Sequence, residues 1–138
     1  MAVICFIDLS GFTAQMAERG RRRVASEVDA RLDIIELALK AVDRHCIRLG
    51  LRQGDGQLMV GQDAPKLLEA AMTLQEGWGG IPCRIAFGWE GELAWSGPAW
   101  SEQGNIIGHE VNLTARLLGE CPSRGIVLSE AARRAVID

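Results

Sequence analysis

The 138-residue chain reads as an α+β protein: a ferredoxin-like βαββαβ antiparallel sheet with helices packed on one face, plus additions. Three observations predict it. An apolar run opens the chain and gives way to a long helical repeat. Two apolar runs then flank Gly54-Asp55-Gly56. A second helical pattern leads from there into a further apolar run.

Ala2 to Ile7 is continuously apolar, as in a strand buried on both faces. It stops at Asp8, and Ser10 and Gly11 signal a tight turn into a helical segment, with Gly20 marking a break. Val24, Val28, Leu32, Ile35, Leu39, Val42 and Cys46 recur at threes and fours, predicting a long helix with one apolar stripe. Glu27–Arg31 and Glu36–Lys40 are favourable pairs on its outer faces. Arg21-Arg22-Arg23 falls on a solvated helix start or loop. Ile47–Gln53 and Gln57–Gly61 are predicted strands, and the Asp55-Gly56 pair between them signals a hairpin whose turn needs positive φ. Asp63 N-caps the next helix and Pro65 lies in its first turn; the helix runs to about Glu76 with Leu67, Leu68, Ala71, Met72 and Leu74 inward, ending at Gly77–Gly80. Ile81–Trp89 and Glu92–Trp95 are strands, and Ser96–Gly104 is a loop. Gly108–Gly119 is a helix with Val111, Ala115 and Leu118 on its apolar side. Gly125–Leu128 is a short strand, and Ser129 caps a last helix through Val136.

One domain over residues 1–138 suits this length. The net charge of −3 gives no overall attraction to nucleic acid or anionic lipid, so a nucleotide has to be held locally. No apolar stretch is long enough to span a bilayer and no secretory leader precedes the first strand, which makes the cytoplasm the expected location. Cys5, Cys46, Cys83 and Cys121 have no C-x-x-C spacing and read as reduced, partly buried thiols. Trp89, Trp95 and Trp100 are candidates for a protomer interface, with core packing the alternative. His45 and His109 carry no expected catalytic role.

In the split βαβ arrangement the end of the first strand and the turn of the central hairpin reach one sheet edge, so Asp8 and Asp55 are expected to be neighbours. Two carboxylates at adjacent strand ends suit Mg2+ or Mn2+, hard cations that share their ligands with phosphates. The Ser10–Thr13 turn offers free backbone N–H groups to phosphate oxygens. Each residue also has a plainer reading: Asp8 ends a strand and caps a helix, and Asp55 satisfies a turn. Asn112 and Arg116 share one helix face at i, i+4 and otherwise read as a solvated surface.

Phe6-Ile-Asp8-Leu-Ser-Gly11-Phe12-Thr13 resembles the opening motif of the class III adenylyl and guanylyl cyclases, and Gly54-Asp55-Gly56 resembles their second metal motif. Gly108-His-Glu-Val-Asn112-Leu-Thr-Ala-Arg116-Leu117 resembles their third, followed by Gly125–Ser129 as the next strand. The resemblance implies a nucleotide cyclase domain with two Mg2+ or Mn2+ ions per site on Asp8 and Asp55. The Leu9 carbonyl would be a further ligand, and Ser10, Gly11, Phe12 and Thr13 would lie at the triphosphate. Asn112 would orient the ribose and Arg116 would stabilise charge on the α-phosphate. It also implies a head-to-tail homodimer in which one chain supplies Asp8 and Asp55 and the other Asn112 and Arg116.

The chain departs from that pattern at three places. Leu51 stands where adenylyl cyclases commonly carry a base-reading Lys, and its neighbour Arg52 faces the other side by strand alternation. Asn105 stands where Asp is frequent. The sequence stops at Asp138, before the hairpin that bears a phosphate-binding Lys, so the domain is expected to be shortened at its C-terminus. ATP is the first expected substrate, with GTP or a pyrimidine triphosphate the alternatives. The competing reading is a cyclase-homology domain that dimerises and binds nucleotide without turnover. A palm-type nucleotidyltransferase shares the fold and two-metal chemistry, and the Asn112/Arg116 motif argues against it.

Overall fold

A computed structural model describes residues 1–9, 12–76 and 82–137, without the side chains of residues 12, 13, 15 and 53. The order is β1 (Ala2–Leu9), α1 (Phe12–Arg19), α2 (Arg21–Val42), β2 (Ile47–Gln53), β3 (Gly56–Gly61), α3 (Ala64–Glu76), β4 (Cys83–Glu90), β5 (Ala94–Ser96), β6 (Asn105–Ile107), α4 (His109–Glu120), β7 (Ile126–Leu128) and α5 (Glu130–Ile137). The main sheet runs β2-β3-β1-β4-β7; β5 and β6 form a separate two-stranded sheet. Its first four strands pair antiparallel, and β7 joins β4 in parallel. This is the expected α+β core, with β1, α2, β2, β3, α3 and β4 as its βαββαβ members.

Strand alternation sorts β1 onto two faces. Val3, Cys5, Ile7 and Leu9 are each 1% exposed and pack with Val24, Val28, Leu32, Ile35 and Leu39 of α2 and with Leu67 and Ala71 of α3. Ala2, Ile4 and Phe6 point the other way, into a smaller cluster with Val60, Ile106 and Val111. The core helices α2 and α3, together with α5, thus cover one face. The additions β5, β6 and α4 cover the other.

Several local expectations change. Helix α2 ends at Val42, so Cys46 is not helical, although it is buried; Val42 is 37% exposed. Asp43 stops the helix in an extended conformation, and its carboxylate accepts N–H bonds from His45, Gln62 and Asp63, tying the end of α2 to the start of α3. Met72 is 53% exposed rather than inward. It lies five residues from Leu67, roughly 140° around the helix. In α4 the buried residues are Val111 and Thr114, and Ala115 is exposed. Thr114 fits there because β4 presents Gly88, where a Cβ would overlap the Thr114 hydroxyl. Strand β6 lies between the expected Ser96–Gly104 loop and α4, where no element is expected, and the strand expected over 92–95 is Ala94–Ser96. Residues 77–81 lie outside the described set.

The capping expectations hold. Asp63 Oδ1 accepts the Lys66 N–H at 3.1 Å, and Ser129 Oγ accepts the Ala132 N–H at 3.1 Å. All four cysteines are free and buried. Burial pushes the Cys46 and Cys83 thiols up to about 12, so they stay protonated and unreactive. Trp89 packs against the main core, while Trp95 joins the smaller cluster and meets Trp100 at 5.6 Å between ring centroids. No helix among the described residues is long and apolar enough to cross a membrane.

Candidate active site

The site begins with register. Asp8, one residue from the end of β1, pairs across to Gly56 on β3 and to Arg84 on β4. Opposite residues on antiparallel strands share a face, and here they bond. Arg84 Nε donates to Asp8 Oδ1 at 2.8 Å and Nη2 to Oδ2 at 2.6 Å. This is the two-pronged fork that guanidinium and carboxylate geometry favours. The same bonds raise the Arg84 pKa further.

The β2–β3 hairpin brings in Asp55. The left-handed residue of its turn is Gly54, with φ of +63°, so the central pair is Gly54-Asp55 rather than Asp55-Gly56. Glycine in the first central position is the type II′ pattern. The Asp55 carbonyl accepts the Leu9 N–H at 3.0 Å, which pins the turn to the end of β1. Burial raises the Asp55 carboxyl pKa, and the nearby charge of Asp8 raises it further. Its own backbone N–H and Arg84 act in the opposite direction. The two acids are thus electrostatic neighbours.

A cleft of about 580 Å3 opens over them, on the sheet face away from α2 and α3. Asp8, Asp55, Leu51 and Asn105 all line it, with Phe6, Leu58 and Leu118 among its apolar walls. Leu51 is 83% exposed. A register shift in β2 between Leu49 and Gln53 accompanies its placement. Within the shift, Gly50 has φ of +69° and gives its N–H to the Glu102 carbonyl at 2.9 Å. Arg52 does turn to the opposite face, bonding Gln57 and Asp33. Asn105 Oδ1 accepts the Ile106 N–H at 2.9 Å, leaving its NH2 group for a ligand.

Other expected site residues lie elsewhere. The Leu9 side chain is core, so only its backbone can serve the cleft. Ser10 and Gly11 lie outside the described residues, and Phe12 and Thr13 begin α1 with side chains outside them as well. Asn112 and Arg116 are both exposed on α4 and do not line the cleft. One chain therefore gathers the two acids and separates them from the Asn–Arg pair.

Helix α4 is held firmly while its outer face stays open. Glu110 Oε1 accepts the Trp89 N–H at 3.2 Å and a short bond from Ser129 Oγ. The Glu110 N–H in turn donates to Glu90 Oε1 at 3.3 Å. These bonds tie the first turn of α4 to β4 and to the start of α5.

Arg84 escaped the sequence reading. Its strand is legible in the sequence, but its pairing register is not, and the register is what sets it opposite Asp8.

The Asp8 and Asp55 carboxylates present only oxygen donors, which suit Mg2+ or Mn2+ and not a thiolate or imidazole metal. Among the described residues no three His, Cys, Asp or Glu side chains gather into a metal-holding group. Arg84 takes two of the roughly four acceptor positions of the Asp8 carboxylate, leaving room for a cation. A cation there also relieves the repulsion between the two acids.

No family model and no curated protein sequence matches the chain. Solved structures do match its fold. The guanylyl cyclase domain of a RhoGC fusion protein from the aquatic fungus Blastocladiella emersonii superposes with a TM-score of 0.81 at 16% identity, over 99% of this chain and 83% of that one. The adenylyl cyclase CyaB from P. aeruginosa gives 0.73 at 18%, over 99% and 80%. The guanylate cyclase domain of RhGC from Catenaria anguillulae, solved in complex with GTP, gives 0.68 at 17%, over 98% and 81%. The chain has the fold of adenylyl and guanylyl cyclase catalytic domains.

Proposed function

We propose that the chain is a nucleotide cyclase, turning a nucleoside triphosphate into a 3′,5′-cyclic nucleotide and pyrophosphate at a site shared by two copies. The observation that supports this most is the division of its candidate side chains. Asp8 and Asp55 line a cleft, while Asn112 and Arg116 stand exposed on α4, open to a second chain. A head-to-tail homodimer completes the site.

In the reaction the ribose 3′-oxygen bonds to the α-phosphorus as the bond from that phosphorus to the β-bridging oxygen breaks. Pyrophosphate leaves and the 3′-hydroxyl proton passes to solvent. Two Mg2+ or Mn2+ ions, when bound, supply positive charge at the attacking and leaving oxygens. Asp8 and Asp55 hold them, with the Leu9 carbonyl as a further donor, and Arg84 offsets the negative charge of the acids. Backbone N–H groups of Ser10, Gly11, Phe12 and Thr13 contact the phosphates. The partner's copy of the Asn–Arg pair completes the work: Asn112 orients the ribose, and Arg116 meets the charge that grows on the α-phosphate, where an aimed cation is worth most. Leu51 and Asn105 border the base. Leu51 cannot donate a hydrogen bond, so base selection falls to the Asn105 amide, with ATP first and GTP or a pyrimidine triphosphate next.

The exposed, apolar Leu51 favours a second reading, a domain that binds nucleotide and dimerises without turnover. Incubation with each of the four ribonucleoside triphosphates and Mn2+, with products resolved by mass, separates the two. A cyclic mononucleotide supports the enzyme. No cyclic product from any of the four leaves only the binding module, and dinucleotide products point to a nucleotidyltransferase.

A further inference from the structure

A second and larger cleft, of about 1100 Å3, lies at the other end of the sheet. It is formed where α2 ends, α3 begins and α5 passes, with Met1 at its edge. From Met1 to Asp8 the extended chain covers roughly 23 Å, and Trp89 in this cleft faces the helical layer, not the Asp8 side. The two clefts are therefore separate.

The space exists because helix positions facing it carry small side chains: Ala41, Ala64, Ala131 and Ala135. Trp89 supplies an aromatic wall. Small neighbours beside one large ring leave a hollow fit for an apolar body, and its size is at the upper end for a small-ligand site.

The charges on its lining are unequal in availability. Asp43 is 5% exposed and already accepts three backbone N–H groups. Asp63 accepts the Lys66 N–H and pairs with the Lys66 ammonium at 3.8 Å. Arg134 pairs with Glu130 at 3.3 Å. Arg44 differs: its Nε donates to His45 Nε2 at 3.3 Å, and it has no carboxylate partner among the described residues. The Nη edge of this exposed guanidinium has no bond among the described residues and matches a carboxylate, sulfonate or phosphate group. At the start of α3, Asp63 already accepts the Lys66 N–H and Pro65 has none, while Asp43 accepts the Gln62 and Asp63 N–H groups just before the helix.

We propose that this cleft binds a small amphipathic organic anion, its apolar or aromatic body against Trp89 and the alanines and its anionic group on Arg44. The test uses the full chain and two probes sharing one body: 1-anilinonaphthalene-8-sulfonate, and neutral N-phenyl-1-naphthylamine, which lacks the sulfonate. Fluorescence titration should show one saturable sulfonate site per chain, with the neutral probe at least about tenfold weaker. Arg44→Glu should weaken the sulfonate about tenfold or more and leave the neutral probe unchanged. Ala135→Leu, which fills the hollow, should weaken both, and Leu37→Ala on the exposed side of α2 should weaken neither. Equal affinity for the two probes, or sulfonate binding untouched by Arg44→Glu, would overturn the proposal. Arg44 lies at the surface, so that variant decides the matter even where Ala135→Leu disturbs folding.

Discussion

The two faces of β1 divide the labour of the molecule. Val3, Cys5, Ile7 and Leu9 seal against α2 and α3, and none is more than 1% exposed. On the other face Ala2 and Ile4 are equally buried, but Phe6 and Asp8 open into a cleft. A single strand thus anchors the core through alternate residues and delivers a carboxylate to the site through the others. The closed face provides stability, and the half-open face holds charge in place for a ligand.

The largest expected contrast is between the faces themselves. Ile35→Ala, which empties a fully buried position on the closed face, should cost about 2–5 kcal/mol in urea unfolding. Phe6→Ala should cost less, because its side chain is only partly buried. Equal losses would remove the distinction. Next comes the contact that seats α4 on the open face. Gly88→Ala should cost about 1–3 kcal/mol by forcing a methyl against Thr114, and adding Thr114→Ala should recover part of it. Strict additivity in that cycle would mean the two residues do not crowd each other.

Much of the closed face was legible in the sequence because its signal is periodic. The stripe from Val24 to Leu39 gave α2, and the apolar opening gave β1. Periodicity failed where a cap overrode it: Asp43 ends α2 before Cys46, and Met72 lies too far around α3. The open face was harder to read. Strand β6 has only three residues, and burial of Thr114 depends on a glycine in another strand. Asp8 and Asp55 were identifiable as neighbours from topology alone. Their partner Arg84 was not, because a strand's register is set by long-range pairing that no local pattern encodes.

Electrostatics on the open face gives smaller effects. Arg84→Leu leaves Asp8 without its fork and beside Asp55, and should destabilise the protein by about 1 kcal/mol, the pair being partly solvated. Added Mn2+ should recover much of that loss by thermal unfolding, whereas recovery by monovalent salt alone would indicate simple screening. The smallest shift belongs to Asp55. Its folded pKa is raised, so the stability tied to its protonated form is present at low pH and is lost as pH rises through the folded value. Asp55→Asn should therefore melt slightly above the parent at neutral pH without metal, and that gain should vanish at pH values below the ordinary carboxylate range. Mn2+ should raise the melting temperature of the parent and not of this variant. A variant that responds to Mn2+ as the parent does would remove Asp55 from the metal site.

Mixing two inactive variants shows whether two chains share each site. Asp8→Ala and Arg116→Ala should each abolish cyclic-nucleotide formation by the homodimer. Mixed in equal amounts, they form heterodimers in which one of the two sites is intact. Activity should then return, at about a quarter of the parent level for random pairing at equal total protein. An active Arg116→Ala homodimer, or a mixture that forms heterodimers and stays inactive, would contradict it.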